Sequence, residues 1–256
     1  NNSPDLWEKY LERLISDQEF CRNLAENAYN KMKDSGLLSQ NIHLWEKLTS
    51  DLNKPSQIKT EQISVHPLVS IIIPVFNKLE LTRQCLENLY QTTSNLSFEV
   101  ILIDNASTDG TSLILKEFQN QYSNIKVINN NQNLGYAKAN NQGAKIAQGD
   151  YLVMLNNDTI PLPYWLDSLY QTIKEDANIG IVGSKLLYSD DSIQHCGVAL
   201  RRDRKFFKHP YKYVERDNEL VNQKRKWDAV TAACWITPKK LFLELGGFDE
   251  RYINGC

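Results

Sequence analysis

Beyond Pro67 the chain alternates short β-branched runs with amphipathic helical patterns, and that alternation constrains its fold more than any other feature. Leu68 to Val75, Glu99 to Asp104, Ile125 to Ile128, Tyr151 to Leu155 and Ile179 to Val182 read as strands. Leu79 to Tyr90, Thr111 to Tyr122 and Ala137 to Ala147 read as the helices between them. Repeated strand-helix-strand units predict an α/β fold with a parallel sheet, because a right-handed crossover lays each helix on a sheet face and returns the chain in its original direction. The loops that follow the strands then collect along one edge, where open sheets of this kind bind ligands.

One strand stands out for what ends it. The apolar run of Tyr151-Leu152-Val153-Met154-Leu155 stops at Asn156-Asn157-Asp158. A buried strand that delivers a carboxylate to its C-terminal lip places a hard oxygen ligand at the ligand-binding edge, which suits a divalent cation and a phosphorylated ligand.

The other strand-end loops narrow the chemistry. Pro74-Val75-Phe76-Asn77 has no glycine, so the first loop is neither a dinucleotide fingerprint nor the glycine-rich, cationic loop of a sugar nucleotidyltransferase. The second strand ends in Asp104-Asn105-Ala106-Ser107-Thr108-Asp109-Gly110. Asp109 is expected to cap the next helix, whereas Asp104 is expected to accept hydrogen bonds from a base or ribose. In the third loop, Gly135 allows close approach of backbone to ligand; Lys138 either meets a phosphate or faces water.

The amino-terminal part reads differently. Leu6, Trp7, Tyr10, Leu11, Leu14 and Ile15 recur at helical spacing, Phe20 to Met32 form a second helical face, and Ile42, Trp45, Leu48 and Leu52 a third. Asn53 to Pro67 is polar and interrupted by Pro55, so the chain is expected to divide into a helical appendage with its linker, residues 1–60, and a main domain, residues 61–256. A net charge of -2 offers no general field for nucleic acid, although Arg201, Arg202, Arg204, Lys205 and Lys208 cluster locally. Five cysteines without a Cys-x-x-Cys pair favour neither a disulfide framework nor a zinc site, so a reducing, cytoplasmic setting is expected. No apolar run approaches the roughly 20 residues that span a bilayer, and any membrane contact is expected to be peripheral.

The ordered set Ser70-Ile71-Ile72-Ile73-Pro74-Val75-Phe76-Asn77, then Asp104 to Thr111, then Asn133-Leu134-Gly135, then Asn156-Asn157-Asp158 resembles family 2 glycosyltransferases with the GT-A fold. Ile193-Gln194-His195-Cys196-Gly197 and Gly246-Gly247-Phe248-Asp249-Glu250 strengthen the likeness, and bacterial rhamnosyl- and galactosyltransferase-like enzymes of polysaccharide assembly are the subgroup most resembled. The resemblance implies an inverting transferase that moves a sugar from a UDP- or dTDP-linked donor to a glycan or lipid-linked acceptor at the cytoplasmic face of a membrane. It also implies that Pro74, Phe76 and Asn77 line the base and ribose pocket, that Asp104 binds the base, and that Asn105, Asn133, Gly135, Lys138, Asn156 and Asn157 belong to the donor site.

In the same carry-over Asn156-Asn157-Asp158 takes the place of an Asp-x-Asp motif, so Asp158 carries the charge that holds Mn2+ or Mg2+. His195 stands open between the metal or phosphate environment and a satisfied loop residue. Trp227, Trp235 and Asp249 are implied on the acceptor side, the tryptophans as planes for a sugar ring or as core. The family's catalytic base sits in a Glu-Asp pair beyond Gly255, so the base is expected past Cys256 and the sequence reads as part of a longer, multidomain chain. The substitution by Asn156 keeps a second reading alive, a silent domain that binds a glycan or a partner.

Overall fold

β1 (Val69–Val75) is buried along almost its whole length, as its near-continuous β-branched sequence requires of a central strand in a sheet covered on both faces. It belongs to a computed structural model that describes residues 67–93, 96–201 and 206–252, all within the compact unit Ser64–Cys256. The helices expected before residue 60, most of the linker, and Arg202, Arg204 and Lys205 lie outside the described residues.

Parallel partners flank β1 on both sides: β2 (Phe98–Asp104), itself paired in parallel with β3 (Ile125–Asn129), and β4 (Tyr151–Leu155). Beyond β4 lie β10 (Cys234–Pro238) and β5 (Val182–Gly183), giving the order β3-β2-β1-β4-β10-β5. β10 runs antiparallel to both neighbours, so the sheet is mixed although mostly parallel. The strand expected from Ile179 begins three residues later, at Val182. Two small hairpins, β6 (Leu186–Leu187) with β7 (Ile193–His195) and β8 (Ala199–Arg201) with β9 (Phe206–Lys208), stand apart from the main sheet.

Strand alternation sorts the core into two layers. Ile71, Ile73 and Val75 face α1 (Leu79–Thr92), α2 (Thr111–Gln121) and α4 (Trp165–Lys174) through Leu86, Leu89, Leu115, Phe118 and Leu166. Ile72, Ile101, Ile103 and Met154 face α3 (Gly135–Ile146) and α5 (Lys239–Glu244) through Ala139, Ala144 and Phe242. Small residues let α3 lie close to the sheet: a Cβ on Gly143 would meet Ile72 Cγ2 at 2.5 Å. Each fully buried aliphatic side chain contributes about 1.5–3 kcal/mol, so these layers carry most of the stability.

At the amino ends of the strands a buried carboxylate ties the sheet together. Glu99 Oε1 accepts from Ser70 Oγ and from the N–H of Gln148, while Oε2 pairs with Lys126 Nζ at 2.7 Å. β1, β2, β3 and the turn into β4 are thereby fastened at the end remote from the ligand-binding edge.

At that opposite edge the winding reverses. The chain passes from β1 to β2 to β3 on one side and then crosses to β4 on the other, so the carboxyl ends of β1 and β4 diverge at a topological switch point. In open α/β sheets the ligand crevice forms there.

Candidate donor site

A cleft of about 280 Å³ opens at the switch point, lined by Pro74, Val75 and Phe76 after β1, Asn105 after β2, Asn133, Gly135 and Tyr136 at the start of α3, and Asn156, Asn157 and Asp158 after β4. The structure thus brings together Pro74, Phe76, Asn105, Asn133, Gly135, Asn156, Asn157 and Asp158 from the residues expected at a donor site. Phe76 leaves 47% of its surface exposed, an apolar plane on the wall of the cleft.

Asp158 is exposed at the cleft, and no partner bonds its carboxylate among the described residues. The turn that presents it is held from within: Asn156 donates its N–H to Ala233 O, and its carbonyl accepts from Thr159 Oγ1 at 2.7 Å. Asn157 turns away to donate to Thr82 Oγ1 at 2.9 Å. Beneath the turn, burial pushes the Cys85 thiol up to about 12, so it is a packing group whose Sγ donates to Asn156 O.

The donor set suits a hard cation. No cluster of three or more His, Cys, Asp or Glu side chains is placed to enclose a metal among the described residues; at the cleft Asp158 supplies a carboxylate, with Asn156 beside it. Mg2+ and Mn2+ bound through one or two carboxylates complete their shells with water and substrate phosphate oxygens. One free carboxylate at an open cleft fits that mode.

The entrance to α3 needs its glycine. Gly135 has φ +79, a left-handed conformation that side chains disfavour, and its N–H is accepted by Asn133 Oδ1 at 2.9 Å. Tyr136 and Val75 line the cleft without having been expected there. Burial pushes the Tyr136 phenol up, so it stays a neutral donor; it donates to Ala232 O at 2.7 Å and joins the cleft wall to the segment leading into β10. Its place directly after Gly135 was the only signal in the sequence for it.

Several expected residues serve other ends. Asp104 is buried, with Oδ1 accepting the Ser107 N–H and Oδ2 accepting Ser112 Oγ, so it shapes the loop into α2 where a base contact was expected. Asn77, at φ 55, uses its Oδ1 to accept the Thr108 N–H and its own N–H to reach Ser107 Oγ. It staples the first loop to the second and is not among the cleft-lining residues. Asp109, by contrast, does what was expected of it: it accepts from the N–H groups of Leu79 and Thr111, the first residues of α1 and α2. Lys138 is exposed on α3, outside the cleft lining.

His195 is likewise corrected as a metal ligand. It is buried, and its Nε2 accepts the Thr231 N–H at 3.3 Å, which puts the ring proton on Nδ1, 3.0 Å from His209 Nδ1. Neither ring nitrogen then has a lone pair free for a cation. Burial, with His209 adding to it, lowers its pKa to about 4, so the ring is neutral near pH 7.

Trp235 is a core residue of β10, 6% exposed and packed against Phe242 and Phe248, with no face open to a sugar. Trp227 lies half-buried against Gly197, where a Cβ would come within 2.3 Å of the indole. Asp249 is bound by Arg251, whose hydrogen bonds hold its carboxyl down to about 2, and acts in a turn. That turn is locked to α3, because Asn141 donates to Phe248 O and Glu250 Oε1 and accepts the Phe248 N–H.

A family profile described as glycosyl transferase family 2 matches residues 70–238. The O-antigen biosynthesis protein RfbC of Myxococcus xanthus is 34% identical over 191 residues, covering 73% of this chain and 15% of its own length. A poly(ribitol-phosphate) beta-glucosyltransferase of Bacillus spizizenii is 37% identical over 92 residues, 35% of this chain and 14% of that protein. Among solved structures, the mannosyltransferase PcManGT from Pyrobaculum calidifontis, in complex with GDP-Man and Mn2+, superposes with TM-score 0.53 at 20% identity, covering 82% of this chain and 55% of that one. S. aureus TarS with UDP gives TM-score 0.54 at 19% identity, with coverages of 72% and 51%. These structures share the fold, and the chain spans only a small part of the RfbC protein. With the profile covering most of the described sheet and its switch-point cleft, the chain belongs to glycosyl transferase family 2 and has the GT-A fold.

Proposed function

We propose that this chain is a glycosyltransferase domain that takes a sugar from a UDP- or dTDP-linked donor and passes it, with inversion, to a glycan or lipid-linked acceptor in the assembly of a cell-surface polysaccharide. The observation that carries the reading is the exposed Asp158 carboxylate, free of partners among the described residues, at a switch-point cleft that also holds Phe76 and Asn105. The names of two relatives, an O-antigen biosynthesis protein and a poly(ribitol-phosphate) glucosyltransferase, support the polymer class.

Phe76 offers its ring face to the base, with Pro74 and Val75 as the apolar floor. Asn133 and Gly135 shape the wall at the start of α3, where they would meet the ribose or diphosphate. Asp158, with Asn156 beside it, would hold Mn2+ or Mg2+; such an ion neutralises charge on the leaving nucleoside diphosphate. In an inverting displacement the acceptor hydroxyl forms the new bond to the anomeric carbon as the bond to the diphosphate breaks, and its proton passes to a general base. Asp249 and Glu250 are not that base, since one is paired with Arg251 and the other accepts from Asn141.

The proposed place of work is the cytoplasmic face of a membrane, in peripheral contact with it; no helix among the described residues is long and apolar enough to cross one. The test is to incubate the full protein with UDP- and dTDP-linked sugars and Mn2+. Release of nucleoside diphosphate above the protein-free rate supports transfer chemistry. Silence with every donor, despite nucleotide binding, would favour a domain that binds without transferring.

A further inference from the structure

The basic cluster of residues 201–208 has no part in the donor chemistry. It belongs to the β8–β9 hairpin, which stands apart from the main sheet. Leu200 and Phe207 are direct cross-strand partners there, so their side chains rise from the same face of the hairpin. Both are exposed, Leu200 over 40% and Phe207 over 62% of its surface. In sequence, residues 201–208 hold five cations, Arg201, Arg202, Arg204, Lys205 and Lys208, against the single carboxylate of Asp203. The chain as a whole has a net charge of -2, so any attraction to an anionic surface must come from such a local excess. Shortly after β9, Lys212 Nζ lies 5.0 Å from the ring centre of Tyr213, an exposed residue that stacks on Tyr188.

The two properties of the hairpin select the partner together. A soluble polyanion answers the cations and leaves the Leu200–Phe207 pair in water. A neutral apolar partner would cover the pair and gain nothing from the charge. An anionic bilayer uses both: lipid phosphates meet the basic side chains while the apolar pair enters the boundary between headgroups and acyl chains. Stable peripheral attachment takes an apolar and a polybasic signal in combination, and tyrosine is favoured at the same boundary.

We propose that the β8–β9 hairpin docks the domain on an anionic lipid surface, with Leu200 and Phe207 inserted and the cations of residues 201–208 against the headgroups. The inference rests on the peripheral contact proposed above and gives it a surface; it does not depend on the donor cleft. The hairpin is also tied to that cleft. Leu200 donates its N–H to Asp228 Oδ2 at 2.8 Å, and Val198 donates its N–H to Ala229 O at 3.0 Å. The same segment runs on to Ala232 and Ala233, whose carbonyls accept from the Tyr136 hydroxyl and the Asn156 N–H at the cleft. Docking through the hairpin therefore holds the cleft in a set relation to the lipid surface, where a lipid-linked acceptor is presented.

Sedimentation of the full protein with large unilamellar vesicles tests it, comparing phosphatidylcholine alone with a mixture of phosphatidylcholine and phosphatidylglycerol. Melting temperature and UDP binding with Mn2+ are recorded for each variant. At about 0.15 M salt the wild type should partition at least about tenfold more strongly onto the anionic vesicles, and at about 1 M salt that preference should vanish. Phe207→Ser keeps every charge and should weaken partitioning about tenfold, the scale of burying one aromatic side chain. Arg202→Ser, Arg204→Ser and Lys205→Ser together keep the apolar pair and should weaken it about a hundredfold, at about fivefold for each cation. Nucleotide binding should stay at the wild-type level in both. Should Phe207→Ser fail to fold, Leu200→Ser, on the same face, is read in its place. A wild type that ignores anionic vesicles or binds neutral ones equally well overturns the inference, as does a folded Phe207→Ser, Leu200→Ser or triple variant that partitions like wild type. Binding to single-stranded RNA as tight as to vesicles and unmoved by Phe207→Ser overturns it in favour of a soluble polyanion. Vesicle partitioning without nucleotide binding removes the donor reading and leaves this inference standing.

Discussion

Replacing Glu99 by glutamine should destabilise the domain by about 2 kcal/mol at neutral pH, through the end of the sheet that takes no part in ligand binding. The side chains are nearly isosteric, so packing survives and the change falls on the hydrogen bonds. Glutamine still accepts from Ser70 Oγ and the Gln148 N–H through one oxygen, but its amide group then meets the Lys126 ammonium, donor against donor. Hydrogen bonds to a charged group contribute about 1.5–3 kcal/mol and neutral ones about 0.5–1.5, and Lys126 is partly solvated, which keeps the loss near the middle of that range. In a domain of this size 2 kcal/mol corresponds to a fall in melting temperature of about 4–8 °C.

The pH dependence supplies a second check. Burial alone would raise the Glu99 carboxyl, but hydrogen bonds from Lys126, Ser70 and Gln148 outweigh it and hold the pKa below its ordinary 4.5. A carboxyl depressed in the folded state adds stability above the unfolded pKa and loses it as pH falls through the folded one. Urea denaturation should therefore show the wild type ahead at pH 7 and the gap narrowing below about pH 4.5. Equal midpoints at pH 7, or a gap unchanged at pH 3, would refute the argument.

Two further perturbations bear on the scaffold. Gly143→Ala gains helix propensity worth about 1 kcal/mol but drives a methyl against Ile72, so the net effect should be a loss, read as a lower urea midpoint; an increase would show that α3 can move off the sheet. His195, held near pKa 4 against an ordinary 6.5, refuses a proton that the unfolded chain accepts, so stability should decline as pH drops from 6.5 toward 4. His195→Gln should flatten that decline, and an unchanged slope would mean that other groups cause it.

The parallel half of the sheet was legible because each of its strands carries its own signal: a β-branched run, a turn and an amphipathic helix, repeated. β10 had none. Cys234–Pro238 is five residues long, and its pairing with β4 depends on a segment some 80 positions earlier, which no local period reveals. The same limit divides the site residues. Asp158, Asn156 and Phe76 reach the cleft because they directly follow strands whose ends define the edge. Asp104 also ends a strand, but Ser107 and Ser112 lie within reach of its oxygens once the loop closes, and local hydrogen bonds claim it. Trp235 and His195 illustrate the opposite problem, since an aromatic ring or an imidazole serves core and ligand equally well until its neighbours are known. The Leu200–Phe207 pair joins two short strands and has no pattern within either of them.

The central claim is that Asp158 and the donor diphosphate together hold a divalent cation in the switch-point cleft. Calorimetry of UDP and dTDP with and without Mn2+, in the wild type and in Asp158→Asn, measures that directly. Wild type should bind a nucleotide more tightly with manganese, and Asp158→Asn should fold normally and lose the manganese increment while keeping weak metal-free binding. An undiminished manganese effect in Asp158→Asn, or none in the wild type, would contradict the account.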